Sequence, residues 1–452
     1  MEVFGSSGVR GVANEELTPE LAMKIAMAAG TVWDADSVAV ARDTRTTGRM
    51  LTDAAAAGLA AVGASVDRLG VVPTPGAQAH AEREGIPLVT VTASHNPPEY
   101  NGIKLAGADG VELSVAALER VESVLLNGEF DRAPWDHVGD ERRVDDARRE
   151  YVRGVVAAVD RDRIADAGLT VALDPGHGAG SLTSPELFRR LGCRVLAVNA
   201  QPDGRFPGRD PEPVPENLAD LGRLVRSTDA DLGIAHDGDA DRAIFYDETG
   251  EYIEGDATLA ALAAAELDEG DVTVSAVNVS QRLVDVADEA GARLELTPIG
   301  STRIVSRVQE LRSAGESVPI AGEGNGGVFF PNYRLARDGG YVAARFLGLV
   351  ADRPASEVVR PVQGYHNVRM NLGYDSEDDR EAMLAAAATL AEEADADLDT
   401  TDGYRLDYGD AWVLARPSGT EPLVRIYAEA TSEDRAETLA GRMRDAMLDA
   451  GG

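Results

Sequence analysis

The chain has 452 residues, enough for three or four packed domains, and its 78 acidic against 43 basic residues leave a formal charge of −35. That balance excludes a general nucleic-acid or anionic-membrane surface and suits a chain kept hydrated in concentrated salt, where long-range repulsion is screened. No apolar run reaches membrane-spanning length, and a single cysteine, Cys193, excludes an intrachain disulfide, so the expectation is a soluble, cytoplasmic protein.

In chain order, FGSSGVRG (4–11) first places Arg10 on a glycine-rich turn. Residues 18–29 read as a helix, with Thr18 as N-cap, Pro19 in the first turn and Gly30 just past the end. A strand at 37–41 delivers ARDTRTTGR, then come a helix over 50–63 and a strand over 65–71. The apolar run 86–91 is the next strand, and it ends on TASHNPPEYNGIK (92–104). Pro97, Pro98 and Gly102 forbid a regular helix there, so Ser94, His95, Asn96 and Lys104 are expected on a loop at a strand end, a common seat for catalytic groups. Lysine is otherwise confined to Lys24, every other basic residue being arginine; that makes Lys104 conspicuous.

The strand-plus-polar-loop unit recurs. Strand 169–173 ends on DPGHGAG, 231–235 on HDGDADR, 272–277 on Asn278-Val279-Ser280, and 318–321 on GEGNGG. Two such loops per unit, in three units, indicate an internal triplication of α/β domains. Charged or turn-rich stretches near 150 and 250 suggest domains at 1–150, 151–250 and 251–360. Residues 361–452 read differently: strand 366–372, helix 376–394, strands near 404–408, 411–415 and 423–428, and helix 433–450, an α+β domain with a mostly antiparallel sheet.

DGDADR supplies Asp237, Asp239 and Asp241 at alternate positions, with Arg242 beside them. Hard oxygen ligands on a tight loop suit Mg²⁺; an Asp-rich turn without a metal is equally compatible with the motif alone. RPSGTEPLVRIYAE (416–429) joins two strands through Ser418, Gly419 and Thr420, with Arg416 and Arg425 as further donors, a pattern that favours phosphate over an ordinary hairpin turn. GEGNGG offers Glu323 and Asn325 between glycines, a carboxylate and an amide suited to sugar hydroxyls, although a plain glycine-rich turn has the same look.

Taken in order, FGSSGVRG, TASHNPPEYNGIK, DGDADR, GEGNGG and RPSGTEP resemble the α-D-phosphohexomutases, and the resemblance spans essentially the whole chain. It implies three similar α/β domains and a C-terminal α+β domain around one cleft, and interconversion of hexose 6- and 1-phosphates through a hexose bisphosphate, which also serves as activator. It further implies that Ser94 is a phosphoserine and that Ser94, Asp237, Asp239 and Asp241 hold Mg²⁺. Lys104, Arg10 and His95 would take catalytic roles; Arg242, Glu323 and Asn325 would bind substrate; Arg416, Ser418, Gly419, Thr420 and Arg425 would hold phosphate. Many members read GExSGH at the sugar loop, whereas Asn325 and Gly327 stand here for the serine and histidine. The chain is most similar to archaeal members grouped with phosphoglucosamine mutase, so glucosamine phosphate is the expected substrate. Mannose, glucose or pentose phosphates are alternatives, followed by a serine-dependent phosphatase and a non-catalytic sugar-phosphate binding protein. The partners expected are small sugar phosphates, with no nucleic acid and no membrane; the sequence does not specify an oligomeric state.

Overall fold

In the computed structural model, residues 3–5, 8–418 and 422–451 are described, and they form four sheets. The first contains β1 (Val9–Val12), β2 (Ser37–Arg42), β3 (Ser65–Val71), β4 (Leu88–Val91), β5 (Tyr100–Ala106) and β6 (Glu141–Arg143), in the order β1-β5-β4-β2-β3-β6. The second holds β7 (Thr170–Asp174), β8 (Arg194–Ala197), β9 (Leu232–Ala235), β10 (Ile244–Tyr246) and β11 (Tyr252–Ile253), in the order β11-β10-β9-β7-β8. The third holds β12 (Val272–Ala276), β13 (Arg293–Thr297), β14 (Ala321–Glu323), β15 (Gly327–Phe330) and β16 (Arg334–Arg337), in the order β13-β12-β14-β15-β16.

These three sheets share one plan. A central strand (β2, β7 or β12) pairs in parallel with the next strand on one side and with a third strand (β4, β9 or β14) on the other. The third strand then turns back into an antiparallel hairpin with β5, β10 or β15. The parallel strands are apolar because helices cover them, and β4, β7, β9 and β12 are buried along their whole length. The triplication expected from the recurring strand ends is thus a shared topology, with a mixed rather than wholly parallel sheet.

The fourth sheet is antiparallel throughout, β17 (His366–Gly373), β18 (Asp397–Asp399), β19 (Tyr404–Asp407), β20 (Ala411–Pro417) and β21 (Leu423–Ala430), in the order β17-β21-β20-β19-β18. Helices Glu377–Glu392 and Glu433–Gly451 supply Met383, Ala387, Met443 and Met447 to a core with Val413, Val424 and Ile426.

Three local expectations are corrected. The first helix runs Pro19–Trp33, capped by Thr18 as expected, but Gly30 is internal to it. A Cβ on Gly30 would lie 2.6 Å from Val62 Cγ2, so the glycine permits close packing of helix Gly48–Ala61 rather than ending the helix. Lys104 is on strand β5, paired with Thr90 of β4, and not on the preceding loop. There Gly102 lets strands approach, since a Cβ would fall 2.5 Å from the Thr92 carbonyl oxygen. The strand expected at 318–321 forms at Ala321–Glu323, because Glu323 pairs with Gly327 to close the β14–β15 hairpin.

Candidate active site

The three chemistry-bearing loops occupy one topological position, the connector between the third strand and its hairpin partner: 92–99 after β4, 236–243 after β9 and 324–326 after β14. Ser94 sits in the first with φ of +52°, a left-handed conformation that a non-glycine residue holds only when its surroundings over-determine it. Arg45 does this. Its guanidinium is fully buried and donates to the carbonyls of Ser94 (3.0 Å), Asn96 (2.6 Å), Pro97 (2.5 Å) and Tyr100 (2.9 Å). Its Nε meets Asp43 at 3.0 Å, Asp43 in turn accepts from Thr92 Oγ1 at 2.8 Å, and Phe206 of the second domain lies 5.2 Å from the guanidinium carbon.

The second loop brings its carboxylates to this serine. Ser94 Oγ donates to Asp237 Oδ2 at 2.5 Å, and Gly238 allows the approach, since a Cβ there would stand 2.6 Å from the Ser94 carbonyl oxygen. Thr74, at the start of helix Thr74–Glu84, donates its amide to the Asp239 carbonyl (3.0 Å) and its hydroxyl to Asp239 Oδ2 (2.6 Å). Carboxylate oxygens of Asp237, Asp239 and Asp241 all lie within 4.8 Å of one another, and all three residues are buried. Asp239 Oδ1 and Asp241 Oδ1 are buried without a hydrogen-bond partner. Buried, converging, unspent hard oxygens of this kind fit a divalent cation. Burial and the repulsion of Asp241 and Asp239 push the Asp237 carboxyl up to about 8. Asp241 goes the other way: burial would raise it, but Arg337, Lys104 and Arg242 hold it well below the usual carboxylate range.

Lys104 Nζ lies 3.0 Å from Asp241 Oδ2, 3.5 Å from Asp239 Oδ2 and 3.8 Å from Glu112 Oε1. Burial alone would lower its pKa; these three acids outweigh it and raise it, so the amine is an ammonium in the metal-free site. Arg337, at the end of β16, donates to Asp241 Oδ2 at 2.6 Å and stands 3.7 Å from Glu323, tying the metal loop to the sugar loop. Arg242 Nη2 donates to His95 Nδ1 at 2.9 Å, which places the imidazole proton on Nε2. Arg242, burial and Arg10 drive the His95 pKa far down, so the ring is neutral and can offer Nε2–H to an anion. Arg10, buried and lowered to about 10 chiefly by desolvation, donates to Asn96 Oδ1 at 2.6 Å.

Arg242 also lines a cleft of about 550 Å³ that opens from this centre toward the third and fourth domains. Gly324 and Asn325 border it from the sugar loop, Asn367 and Arg369 from β17, and the carboxylates Glu212, Glu216, Glu254 and Asp256 from its walls. Asn325 accepts from the Gly327 amide at 3.0 Å, which leaves its NH₂ for a ligand.

The phosphate hairpin is part of the fourth domain. Arg416 and Arg425 are directly opposed across the β20–β21 ladder. Like charges in that position repel unless an anion lies between or beside them. Asp402 supplies one, 3.0 Å from Arg416 Nε, while also accepting from the Ile299 amide of the third domain at 3.1 Å. The Ser418 amide closes the hairpin onto the Leu423 carbonyl at 2.8 Å, so this N–H is not part of an anion nest. Gly419 and Thr420 lie outside the described residues.

The structure therefore brings Arg10, Ser94, His95, Lys104, Asp237, Asp239, Asp241 and Arg242 together, with Glu323 joined to them through Arg337. Sequence reading missed Arg45, Thr74, Glu112, Arg337 and Asp402. ARDTRTTGR, a polar run at a strand end, was a usable signal for Arg45; the others become visible only through long-range pairing.

Four domains of one family account for this architecture. The phosphoglucomutase/phosphomannomutase α/β/α domains I, II and III match residues 1–132, 149–250 and 254–365, and the C-terminal domain matches 367–446. The chain belongs to the phosphoglucomutase/phosphomannomutase family and is a phosphohexomutase, an isomerase. A phosphoglucomutase/phosphomannomutase of Thermococcus kodakarensis is 42% identical over 447 residues, 96% of each chain, and a probable phosphoglucosamine mutase of Methanopyrus kandleri is 40% identical over 453 residues, 99% of this chain and 97% of its own. Among solved structures, a phosphoglucomutase/phosphomannomutase family protein from Burkholderia thailandensis superposes with a TM-score of 0.87 at 29% identity, covering 99% of this chain and 97% of its own. An Aspergillus fumigatus N-acetylphosphoglucosamine mutase, crystallised with GlcNAc-6P and magnesium, shares the fold alone at 16% identity and a TM-score of 0.61, over 99% of this chain and 96% of its own.

Proposed function

We propose that this chain interconverts the 6- and 1-phosphates of glucosamine through a phosphoserine at Ser94 and a hexosamine bisphosphate. The observation that carries the proposal is the hydrogen bond of the buried Ser94 Oγ to Asp237 at 2.5 Å, inside a cluster of three carboxylates and beside Lys104. In each half-reaction the bond between phosphorus and one oxygen breaks as a bond to the other forms. Phosphoryl leaves Ser94 Oγ for the free hydroxyl of the sugar phosphate, and the other phosphate of the resulting bisphosphate returns to Ser94. Lys104 takes the hydroxyl proton in the first transfer and gives it back to the vacated oxygen in the second, so no proton is gained or lost over the cycle.

Asp237, Asp239 and Asp241 would hold Mg²⁺, which supplies charge neutralisation for phosphoryl transfer at Ser94. Arg10 and the Nε2–H of His95 face the same anion. Arg416, Ser418 and Arg425, together with Gly419 and Thr420, would hold the phosphate that is not reacting, a task for charge rather than for a shaped pocket. The four carboxylates of the cleft favour an amino sugar, because an ammonium at C2 offsets part of their charge. The same residues would form the substrate site for glucose or mannose phosphates without that pairing.

The deciding experiment supplies Mg²⁺, a trace of hexose bisphosphate and, separately, the 1- or 6-phosphates of glucosamine, glucose, mannose and ribose. Glucosamine phosphate should show the highest kcat/KM, and a neutral hexose ahead of it would overturn the substrate assignment. Intact mass and peptide mapping should find phosphate on Ser94. Full turnover in Ser94→Ala would sink the phosphoserine mechanism.

A further inference from the structure

On the first domain, away from Ser94, a cleft of about 590 Å³ lies between helix Gly48–Ala61, strands β2, β3 and β6, and the start of helix Ala147–Ala157. Arg42, Arg49, Arg68, Arg143 and Arg148 line it. In a chain with 78 acidic and 43 basic residues, composition alone would give the opposite excess. Three of the five are matched by carboxylates. Arg68 pairs with Asp53 at 2.5 Å and with Glu141 at 2.6 Å, Arg49 with Asp53 at 3.8 Å, and Arg143 with Asp145 at 2.6 Å. Arg42 and Arg148 form no ion pair among the described residues.

Arg42 is the informative member. It sits half-buried at the carboxyl end of β2, and its one hydrogen bond goes to the neutral carbonyl of Asp43 at 3.1 Å. Removing a guanidinium from water without a counter-charge is costly, and its pKa is lowered, chiefly by that desolvation. Nearby acids are spent elsewhere: Asp43 on Arg45, Asp53 on Arg68. Val71, Val144 and Leu182 give the cleft an apolar wall, the last contributed by the second domain. Carboxyl ends of parallel strands are also where open α/β sheets bind small molecules.

We propose that this cleft binds a phosphorylated small molecule, with the phosphoryl group between Arg42 and Arg148 and its organic part against Val71, Val144 and Leu182. The guanidinium fork matches phosphate oxygens in geometry as well as in charge, whereas a carboxylate ligand would meet fewer donors. The site is separate from the proposed catalytic cleft, and its occupancy does not depend on which sugar is turned over.

Equilibrium dialysis of the full chain in EDTA tests it, with adenosine 5′-monophosphate as the phosphomonoester probe, adenosine as its uncharged counterpart, and inorganic pyrophosphate to separate phosphate recognition from contact with the apolar wall. The nucleotide should bind at least about tenfold more tightly than adenosine, and Arg42→Gln and Arg148→Glu should each weaken it by about tenfold or more. Arg148 is exposed, so its replacement leaves the fold intact whatever Arg42→Gln does. Arg416→Gln, in the C-terminal hairpin, should leave nucleotide binding unchanged. Equal binding by the wild type and Arg148→Glu, loss of binding in Arg416→Gln, adenosine binding as tightly as the nucleotide, or pyrophosphate binding unaffected by Arg148→Glu would each overturn the site.

Discussion

The Ser94 loop and the hairpin that carries Arg416 and Arg425 are both built to meet phosphate, but they are held in opposite ways. Around Ser94 the constraints come from several directions: Arg45 and Asp43 from the same domain, Asp237 and Phe206 from the second, and Lys104 bound to the same acids. All but Phe206 are polar contacts made out of reach of water, where each is strong and a loss leaves an unpaired group. The hairpin belongs to a separate antiparallel sheet that meets the third domain through a few side chains, Arg405 donating to the Val277 carbonyl at 2.5 Å and Glu429 accepting from the Gln281 amide at 2.6 Å. A reacting oxygen must be placed to a fraction of an ångström, whereas a non-reacting phosphate needs only to be neutralised. The proposed turnover of a bisphosphate asks for that asymmetry, since the sugar must reverse while Ser94 stays still.

The largest effect is expected at the rigid end. Lys104→Arg keeps the charge beside Asp241 but replaces an amine by a group that stays protonated at any working pH. Loss of proton transfer should lower kcat roughly 10²–10⁴-fold with a much smaller change in KM. A few-fold loss in steady-state kinetics would limit Lys104 to an electrostatic role and leave the rest of the site standing.

Arg45→Met strikes the same loop through its scaffold. It removes donors to four carbonyls and leaves Asp43 buried without its partner, so a stability loss of roughly 3–5 kcal/mol is expected by chemical denaturation. Turnover measured well below the new melting point should fall too, because Ser94 would lose the contact that holds its left-handed backbone. Unchanged kcat in a folded Arg45→Met enzyme would show that Asp237 and the second domain suffice to place the serine.

What the sequence made legible follows from the same contrast. Ser94, His95 and the three aspartates stand on loops that directly follow apolar runs, so local pattern found them. The triplication was readable from those repeated strand ends. Lys104 was misplaced because Pro97, Pro98 and Gly102 outweighed the strand character of YNGIKLA, and the antiparallel hairpin that carries it depends on pairing with β4. Arg337 and Asp402 were missed for another reason. In a chain with so many aspartates and with arginine at nearly every basic position, one more of either carries no local signal, and only a partner about a hundred residues away, Asp241 or the Ile299 amide, gives it meaning.

A smaller effect is expected at the seam between the two regions. Asp256 is buried beside Glu429, and burial first, then that neighbour, raises its carboxyl to about 6. A folded-state pKa above the unfolded value means that the folded protein holds the proton more tightly, so this stabilisation is present below pH 4 and is lost as pH rises through 6. Asp256→Asn should therefore melt like the wild type near pH 4 and exceed it at pH 7 by up to about 3 kcal/mol, a difference that thermal unfolding across that window will measure. A constant difference at every pH would mean that Asp256 is not the titrating group.

The smallest effect should come from the flexible end of the comparison, at Asp402. Asp402→Asn preserves an acceptor for the Ile299 amide but removes the charge that faces Arg416, so it isolates the ion pair from the docking contact. Both side chains are mostly but not wholly buried, at 13% and 19% exposure, and a pair in that setting contributes about 1 kcal/mol. Two consequences oppose each other. Arg416 loses the partner that orients it opposite Arg425, which weakens phosphate binding; it also gains net charge for the incoming phosphate. Orientation should win, because a guanidinium recognises phosphate by its fork and Arg425 already supplies charge across the ladder. KM should then rise about three- to fivefold with kcat nearly unchanged, since ground state and transition state use the non-reacting phosphate alike. A fall in KM would reverse the assignment: Asp402 would be a competitor that occupies Arg416 until substrate displaces it. A loss confined to kcat would mean that the hairpin takes part in phosphoryl transfer itself, and the contrast between a rigid reacting loop and a charge-only holding site would no longer stand.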